Sequence, residues 1–268
     1  MTTDDSSPRT LKTLVAAADV IDVLVAEDGV TVTELSDHLD MSKSTAFRYL
    51  KTLAELDFAT ETDGVYRLSY RFLLLGEYAR NNSQLYRVGK SEVDELAEDL
   101  GYYAHLVTEA DGSGVSLYQA KGDDVVDHDY QATKLQQRDP LHVTASGKAI
   151  LAHLPRERIA TILDEQDLER RTSKTITDRE ELLATLKSIR ERGFAYNDGE
   201  EVEGFRAVGA PVIDRNDRVL GSVSVSASTS SLVDSAFRDE IPRAVTRAAN
   251  LIEVAINMTE KQDAIAGI

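Results

Sequence analysis

Residues 36–56 read SDHLDMSKSTAFRYLKTLAEL and predict two short helices joined by a tight turn. In the first helix Leu35 and Leu39 are apolar and one turn apart, and Thr33 is a candidate N-cap. Ser42 is the corresponding candidate at the start of the second helix, because its hydroxyl can accept a hydrogen bond from a free amide of the first turn. A short turn between two capped helices is the arrangement that this stretch predicts.

The second of these helices has two chemically distinct faces. Its apolar face carries Ala46, Leu50 and Leu53, and its polar face carries Ser44, Arg48 and Lys51. No acidic residue lies between positions 43 and 51, although the net charge of the chain is −17. Three bases taken alone are the ordinary solvated face of a helical hairpin. A docking site for a polyanion is the alternative, and the neighbouring elements favour it.

A helix with this basic face can enter the major groove of duplex DNA. Arg48 and Lys51 can donate to guanine edges, and hydroxyls near the helix start can reach bases or phosphates. Lys43 and Arg67 are better placed to meet phosphates, which fix the position of a protein without reading sequence. The predicted DNA-binding residues are Ser42, Lys43, Ser44, Thr45, Arg48, Lys51 and Arg67.

The flanking segments complete a familiar order of elements. Residues 11–29 predict an amphipathic helix with an apolar stripe at Leu14, Ala18, Ile21 and Val25. In residues 58–69 β-type side chains lie on both sides of Asp63-Gly64, a dipeptide that accepts the positive φ angles of a tight hairpin. Helix, helix, turn, basic helix and hairpin follow in the order of a winged helix-turn-helix.

Helix-like and strand-like segments alternate beyond about residue 80. Helices are predicted in residues 91–101, 145–155, 156–166, 179–193 and 244–261. Strands are predicted in residues 102–111, 114–122, 206–214 and 219–228. Asn216-Asp217 suits a hairpin between the last two strands, which favours a mainly antiparallel sheet in an α+β or α/β domain.

Residues 70–84 predict a linker helix between two domains. This segment is helical in pattern and then becomes polar, and its three consecutive leucines need a covering partner. The predicted organisation is a mainly α winged helix-turn-helix domain over residues 1–69, the linker helix over 70–84, and a second domain over 85–268.

Composition limits the class of protein. The 268 residues include no cysteine, which excludes disulfides and cysteine-ligated metal sites. Residues 1–10 lack the features of a signal peptide and no apolar run could span a bilayer, so a cytoplasmic location is expected. The acidic excess of 47 residues against 30 bases is typical of a protein from a halophilic archaeon, where salt screens like charges. An acidic mesophilic protein is the alternative.

Several motifs together resemble one family. Residues 11–76, with KST at the start of the basic helix and YRLSYRFLLLG after the hairpin, resemble the DNA-binding domain of the IclR family of transcriptional regulators. The likeness continues through PLHVTASGKAILAHLP, GFRAVGAPVID and LGSVSVSAS to about residue 258. This resemblance implies an α+β effector-binding domain with a GAF- or profilin-like fold. It also implies a homodimer, or a dimer of dimers, that binds a palindromic operator in double-stranded DNA and responds to a small metabolite.

The effector site is expected near Thr144. Thr144 can cap a helix whose first turn offers backbone amides to an anion, so a carboxylate would suit that place. Ser224 and Ser226 lie two apart on one strand and so share a face. The resemblance implies a pocket formed by Thr144, Ala145, Ser146, Asn197, Asp198, Ala207, Ser224 and Ser226. At two of these positions the chain departs from the family, where a cysteine is common at Ala207 and an acid at Asn197.

Two other classes of protein compete with a regulator. An enzyme is one, but ASGKA does not complete a phosphate-binding loop, and the chain contains neither G-x-S-x-G nor H-E-x-x-H. His128, between two acids, is a weak candidate metal ligand, and we expect no metal, cofactor or catalytic residue. A protein-binding scaffold is the other, because residues 1–80 carry eight bases and fourteen acids.

Overall fold

The computed structural model describes residues 10–123, 125 and 138–266. The chain divides into two compact units, one ending at Ala79 and the other beginning at Arg80. Within the described residues no helix has both the length and the apolarity needed to cross a lipid bilayer.

The first unit contains three helices packed with a small antiparallel sheet, and a fourth helix follows them. Its elements are α1 (Lys12–Ala26), β1 (Val30–Thr31), α2 (Val32–His38), α3 (Lys43–Glu55), β2 (Ala59–Thr62), β3 (Val65–Leu68) and α4 (Arg71–Asn81), the last of which continues into the second unit. The sheet order is β1-β3-β2. Asp63 and Gly64 have φ angles of 52° and 79°, which confirms the predicted two-residue turn of the wing.

Side-chain caps fix the starts of α2 and α3. Ser42 caps α3 as predicted, accepting a hydrogen bond from the Thr45 amide. The prediction of Thr33 as the cap of α2 is wrong, because Thr31 is the N-cap and forms a capping box with Glu34. The glutamate three residues after Thr31 is the signal that favours this position.

The core of the first unit forms where the three helices meet the sheet. Its buried residues are Val20, Leu24, Val30, Leu35, Ala46, Leu50, Leu53, Ala59 and Tyr66. The predicted apolar stripe of α1 is correct only at Ile21, which packs against this core. Leu14, Ala18 and Val25 are exposed, and Val20 and Leu24 face the core instead. A helix with apolar residues on two sides does not reveal by pattern which side packs inward.

Two helices occupy the region of the predicted linker. Helix α4 ends at Asn81, and α5 (Gln84–Leu100) begins directly after Ser83, whose hydroxyl accepts a hydrogen bond from the Tyr86 amide. The predicted helix start at residue 91 is therefore seven residues late. The polar residues after Asn81 thus form a short break between two helices, and Ser83 within that break caps the second helix.

The second unit is an antiparallel sheet with helices on both faces. After α5 its elements are β4 (Tyr103–Ala110), β5 (Ser113–Lys121), β6 (Arg138–Pro140), α6 (Ala145–Leu151), α7 (Arg156–Glu165), α8 (Arg179–Arg192), β7 (Ala195–Asp198), β8 (Phe205–Ile213), β9 (Val219–Ser228), a π-helical turn (Ala236–Glu240) and α9 (Ile241–Ala266). The sheet order is β6-β5-β4-β9-β8-β7, and every pairing is antiparallel. This confirms the predicted α+β class.

Alternation along β9 gives the sheet two different faces. Val223, Val225 and Ala227 belong to the main hydrophobic core, with residues of α5 and α9. Ser222, Ser224 and Ser226 lie on the opposite face, which α6 contacts. A Cβ at Gly209 would lie 2.9 Å from backbone atoms of Ala145 and Ser146, so glycine in β8 permits this close approach.

Candidate DNA-contacting helix and effector cavity

The polar face of α3 is open to solvent. Lys43, Ser44, Arg48 and Lys51 are exposed and Thr45 is half-buried. None of the three bases forms an ion pair with another described residue. The apolar face is fixed inside the core, because Ala46 and Leu50 are fully buried. The packing of one face therefore holds the other outward.

The hydroxyl groups at the start of α3 form a connected cluster. The Ser42 hydroxyl oxygen lies 3.0 Å from that of Ser44 and 2.8 Å from that of Thr45. It also accepts the Thr45 amide at 3.2 Å. Ser42 thus has a structural role as the cap, and it orders the two hydroxyls beside it.

Arg67 is exposed on β3 of the wing. It pairs with Thr60 in the sheet register. A Cβ at Gly29 would lie 2.5 Å from Cγ of Arg67, so the arginine stem crosses directly over this glycine. That contact restricts the stem.

The second unit contains a small cavity between the serine face of the sheet and α6. Its volume is about 50 Å³, which is room for a few water molecules. Seven of the eight predicted effector residues line it: Thr144, Ala145, Ser146, Asn197, Ala207, Ser224 and Ser226. The start of helix α6 with its cap, and strands β7, β8 and β9, contribute these residues from distant parts of the sequence.

Two buried hydrogen bonds tie the serines of β9 to their surroundings. Ser146 donates to the Ser224 hydroxyl oxygen at 2.7 Å. His105 Nε2 lies 2.8 Å from the Ser226 hydroxyl oxygen. Ser224 can still donate its own proton, because it accepts the bond from Ser146. The two serines are therefore held in defined positions and do not simply face water.

Asn197 and Asp198 have different partners because neighbours in a strand point to opposite faces. The Asn197 amide nitrogen donates to the Val143 carbonyl at 2.9 Å, and its oxygen accepts the Glu200 amide at 2.8 Å. Asp198 accepts from Arg206 Nε at 2.6 Å and is not among the described residues that line the cavity. Asn197 is thus used to join β7 to the loop before α6.

The sequence interpretation missed several wall residues. His105 is opposite Ser224 in the β4–β9 register, which places it on the serine face. Ser116 on β5 lines the cavity, and its buried hydroxyl has no hydrogen-bond partner among the described residues. Only strand pairing brings these side chains to the site, so no local motif could have indicated them.

A buried ion pair lies behind the cavity. Lys148 of α6 bonds the Glu200 carboxylate, and the lysine side chain is only 2% exposed. Burial lowers the pKa of Lys148 and raises the pKa of Glu200. Both directions show that removing the two charges from water opposes their attraction. The pair connects α6 to the loop after β7.

Two models of protein families match the chain. The C-terminal domain of the bacterial transcriptional regulator IclR matches residues 79–254, and the IclR helix-turn-helix domain matches residues 13–63. The chain belongs to the IclR family. It is an IclR-type transcriptional regulator with a helix-turn-helix DNA-binding domain and an effector-binding domain. The enzyme alternative is rejected, because this family consists of regulators.

Similar IclR-family proteins cover nearly the same span. The probable HTH-type transcriptional regulator ArcR of Halobacterium salinarum is 37% identical over 254 residues, which are 94% of this chain and 97% of that protein. The regulator KdgR of Escherichia coli is 30% identical over 230 residues, 84% and 85% of the two chains. The source of the first relative supports the expectation of a halophile.

Solved structures show the same fold. Thermotoga maritima IclR matches with a TM-score of 0.74 at 25% identity, covering 92% of this chain and 100% of that one. An IclR homologue from Microbacterium hydrocarbonoxydans, solved with 4-hydroxybenzoate, matches with a TM-score of 0.71 at 19% identity, covering 85% and 91%.

Within the described residues no group of three or more histidine, cysteine or acidic side chains could hold a metal ion. His128 lies outside the described residues.

Proposed function

We propose that this IclR-family regulator binds a palindromic operator as a homodimer, with α3 in the major groove. The observation that carries this proposal is the exposed basic face of α3. Three bases with no ion-pair partner among the described residues are held outward there, in a chain of net charge −17. A polyanion compensates that local charge, whereas most of the acidic surface repels it.

The contacts divide by chemistry. Arg48 and Lys51 donate to base edges in the groove, with Ser44 and Thr45 reaching bases or phosphate at the helix start. Lys43 and Arg67 bind phosphates on either side of the groove. Ser42 supports the set as the cap of α3.

Unpartnered apolar side chains in the first unit support the homodimer. Leu73 and Leu74 of α4 are 64% and 70% exposed, and Leu11 and Leu14 near the start of α1 are similarly exposed. Exposed apolar groups on this scale mark a protein interface. In such a homodimer a palindromic operator requires the two α3 helices to lie about one DNA turn apart, roughly 34 Å.

A small carboxylate in the cavity is the proposed effector. Hydroxyl donors of Ser116 and Ser224 face the space, and Ser116 has no partner among the described residues. A carboxylate can accept several such bonds at once. The Microbacterium homologue is bound to 4-hydroxybenzoate, which is also a carboxylate. The ligand changes DNA affinity only as far as it binds the two dimer arrangements differently.

Selection of genomic DNA by the purified full-length protein tests the proposal. Fragments retained at a series of salt concentrations up to molar, with and without a panel of small carboxylates and their matched amides, are sequenced. We expect a shared palindromic motif whose retention changes with a carboxylate and not with its amide. Retention of fragments without any sequence preference at every salt concentration would contradict DNA regulation and favour a scaffold.

A further inference from the structure

Phe47 lies in the middle of the basic face of α3. Lys43 and Lys51 are one turn before and one turn after it, and Arg48 is its neighbour. Its side chain is 49% exposed, although the leucines of the same helix, Leu50 and Leu53, are buried. An aromatic ring is thus held in water among three cations.

The position of Phe47 determines what can cover it. Residues four apart on a helix contact the same surface, so whatever binds Lys43 and Lys51 also meets the Phe47 ring. If α3 occupies the major groove, the ring faces base edges there. The C5-methyl group of thymine is the apolar group that the major groove presents.

We propose that Phe47 is a specificity-determining residue that packs against thymine methyl groups in each operator half-site. This inference rests on the proposed entry of α3 into the major groove. It adds an apolar base contact to the polar contacts of Arg48 and Lys51. Fourfold selectivity for thymine over uracil is about the effect of burying one methyl group.

The salt dependence of DNA affinity distinguishes the Phe47 contact from the contacts of the lysine and arginine side chains. A lysine that neutralises a phosphate releases counterions, so its contribution to affinity falls as salt rises. The Phe47 side chain is uncharged, so its contact with DNA releases no counterions. In the high salt expected of a halophile, the apolar contact therefore keeps its value while phosphate contacts lose theirs.

The test replaces operator thymines singly by deoxyuridine, which lacks only the methyl group. On the operator found by selection, the parent protein should lose about fourfold in affinity at one or two thymines per half-site. Phe47→Ala should bind the thymine operator more weakly than the parent and should be indifferent to uracil. Phe47→Leu should retain part of the discrimination. Phe47→Ala should also leave the salt dependence unchanged, whereas Lys43→Ala, which removes a proposed phosphate contact, should reduce its slope by about one.

The outcomes separate this inference from the proposed function. One outcome is that the parent binds its operator specifically while Phe47→Ala loses as much affinity as the parent when thymine is replaced by deoxyuridine. That result overturns the role of Phe47 and leaves the proposed function as a regulator unaffected. No sequence preference in the parent overturns both. Equal urea midpoints for the parent and Phe47→Ala, expected for an exposed side chain, exclude unfolding as the cause of weaker binding.

Discussion

Ser146 and Ser224 join helix α6 to the middle of the sheet through a hydrogen bond of 2.7 Å between their buried hydroxyls. The two residues are 78 positions apart in the sequence, and both line the cavity. A ligand that accepts a hydrogen bond from Ser224 therefore acts on α6 and β9 together. A ligand bound in the cavity can therefore shift a conformational equilibrium of the second unit.

Ser224→Ala should blunt the response to ligand without weakening operator binding. The substitution removes the hydroxyl donor and leaves Ser146 without its acceptor, at a cost of about 1 kcal/mol in the free energy of unfolding. Ligand titrations of operator binding measure the response. Ser188→Ala is the control, because Ser188 is an exposed helical serine outside the cavity wall. Identical titration curves for Ser224→Ala and the parent would remove Ser224 from the proposed site.

Gly209→Ala should destabilise the second unit and impair the ligand response. Its Cβ would lie 2.9 Å from backbone atoms of α6, and backbone cannot move aside as a flexible side chain can. Gly76→Ala is the matched control, since nothing lies within 4 Å of its Cβ in helix α4. There alanine should be neutral or stabilising, by up to about 1 kcal/mol. Urea unfolding compares the two variants, and equal stabilities would argue against tight contact between α6 and β8.

The Lys148–Glu200 pair should show strong coupling in a double-mutant cycle. Lys148→Met leaves a largely buried carboxylate without its partner and should cost about 3 kcal/mol. Lys148→Met combined with Glu200→Leu should restore much of that loss, because the pKa directions of both groups indicate a large cost of removing them from water. Urea unfolding at constant molar salt provides the four free energies. Additive losses would show that the two side chains act independently.

Stability should fall as the pH is lowered through about 6.5. Burial lowers the pKa of His142 and of His153, so in this range the unfolded chain binds protons that the folded chain does not. The contribution of the two neutral histidines to the free energy of unfolding is therefore fully present at higher pH. Urea unfolding at about pH 8 and about pH 5.5 should therefore show a larger loss for the parent than for His142→Gln/His153→Gln. Buried glutamates titrate alike in both proteins and cancel in this comparison, so an equal loss would contradict the assignment.

The sequence was informative where a local signal determines the structure. Ser42, the Asp63-Gly64 turn and the buried face of α3 follow from caps, turn chemistry and helical spacing, and all were predicted correctly. The start of α5 was missed although Ser83 offers the same kind of capping signal as Ser42. The cap of α2 is Thr31 and not the predicted Thr33, because Glu34 completes a capping box with Thr31.

Features that depend on distant pairing could not be read from the sequence. His105 reaches the cavity only through the pairing of β4 with β9, and Ser116 only through the pairing of β5 with β4. Asp198 and Asn197 are adjacent in β7, so their side chains point to opposite faces of the sheet. Only Asn197 lines the cavity, and the sequence alone does not show which of the two faces it. Which side of α1 is buried likewise depends on the residues of the other helices and the sheet that pack against it.

The central claim, that the exposed face of α3 reads operator bases, is tested most directly by the affinity of Arg48→Ala for the selected operator and for random DNA. Arg156→Ala, which removes an exposed arginine from the second unit, is the control for loss of one positive charge. The account predicts that Arg48→Ala loses about 1 to 3 kcal/mol on the operator and much less on random DNA, while Arg156→Ala matches the parent on both. Operator binding by Arg48→Ala that equals the parent would contradict it.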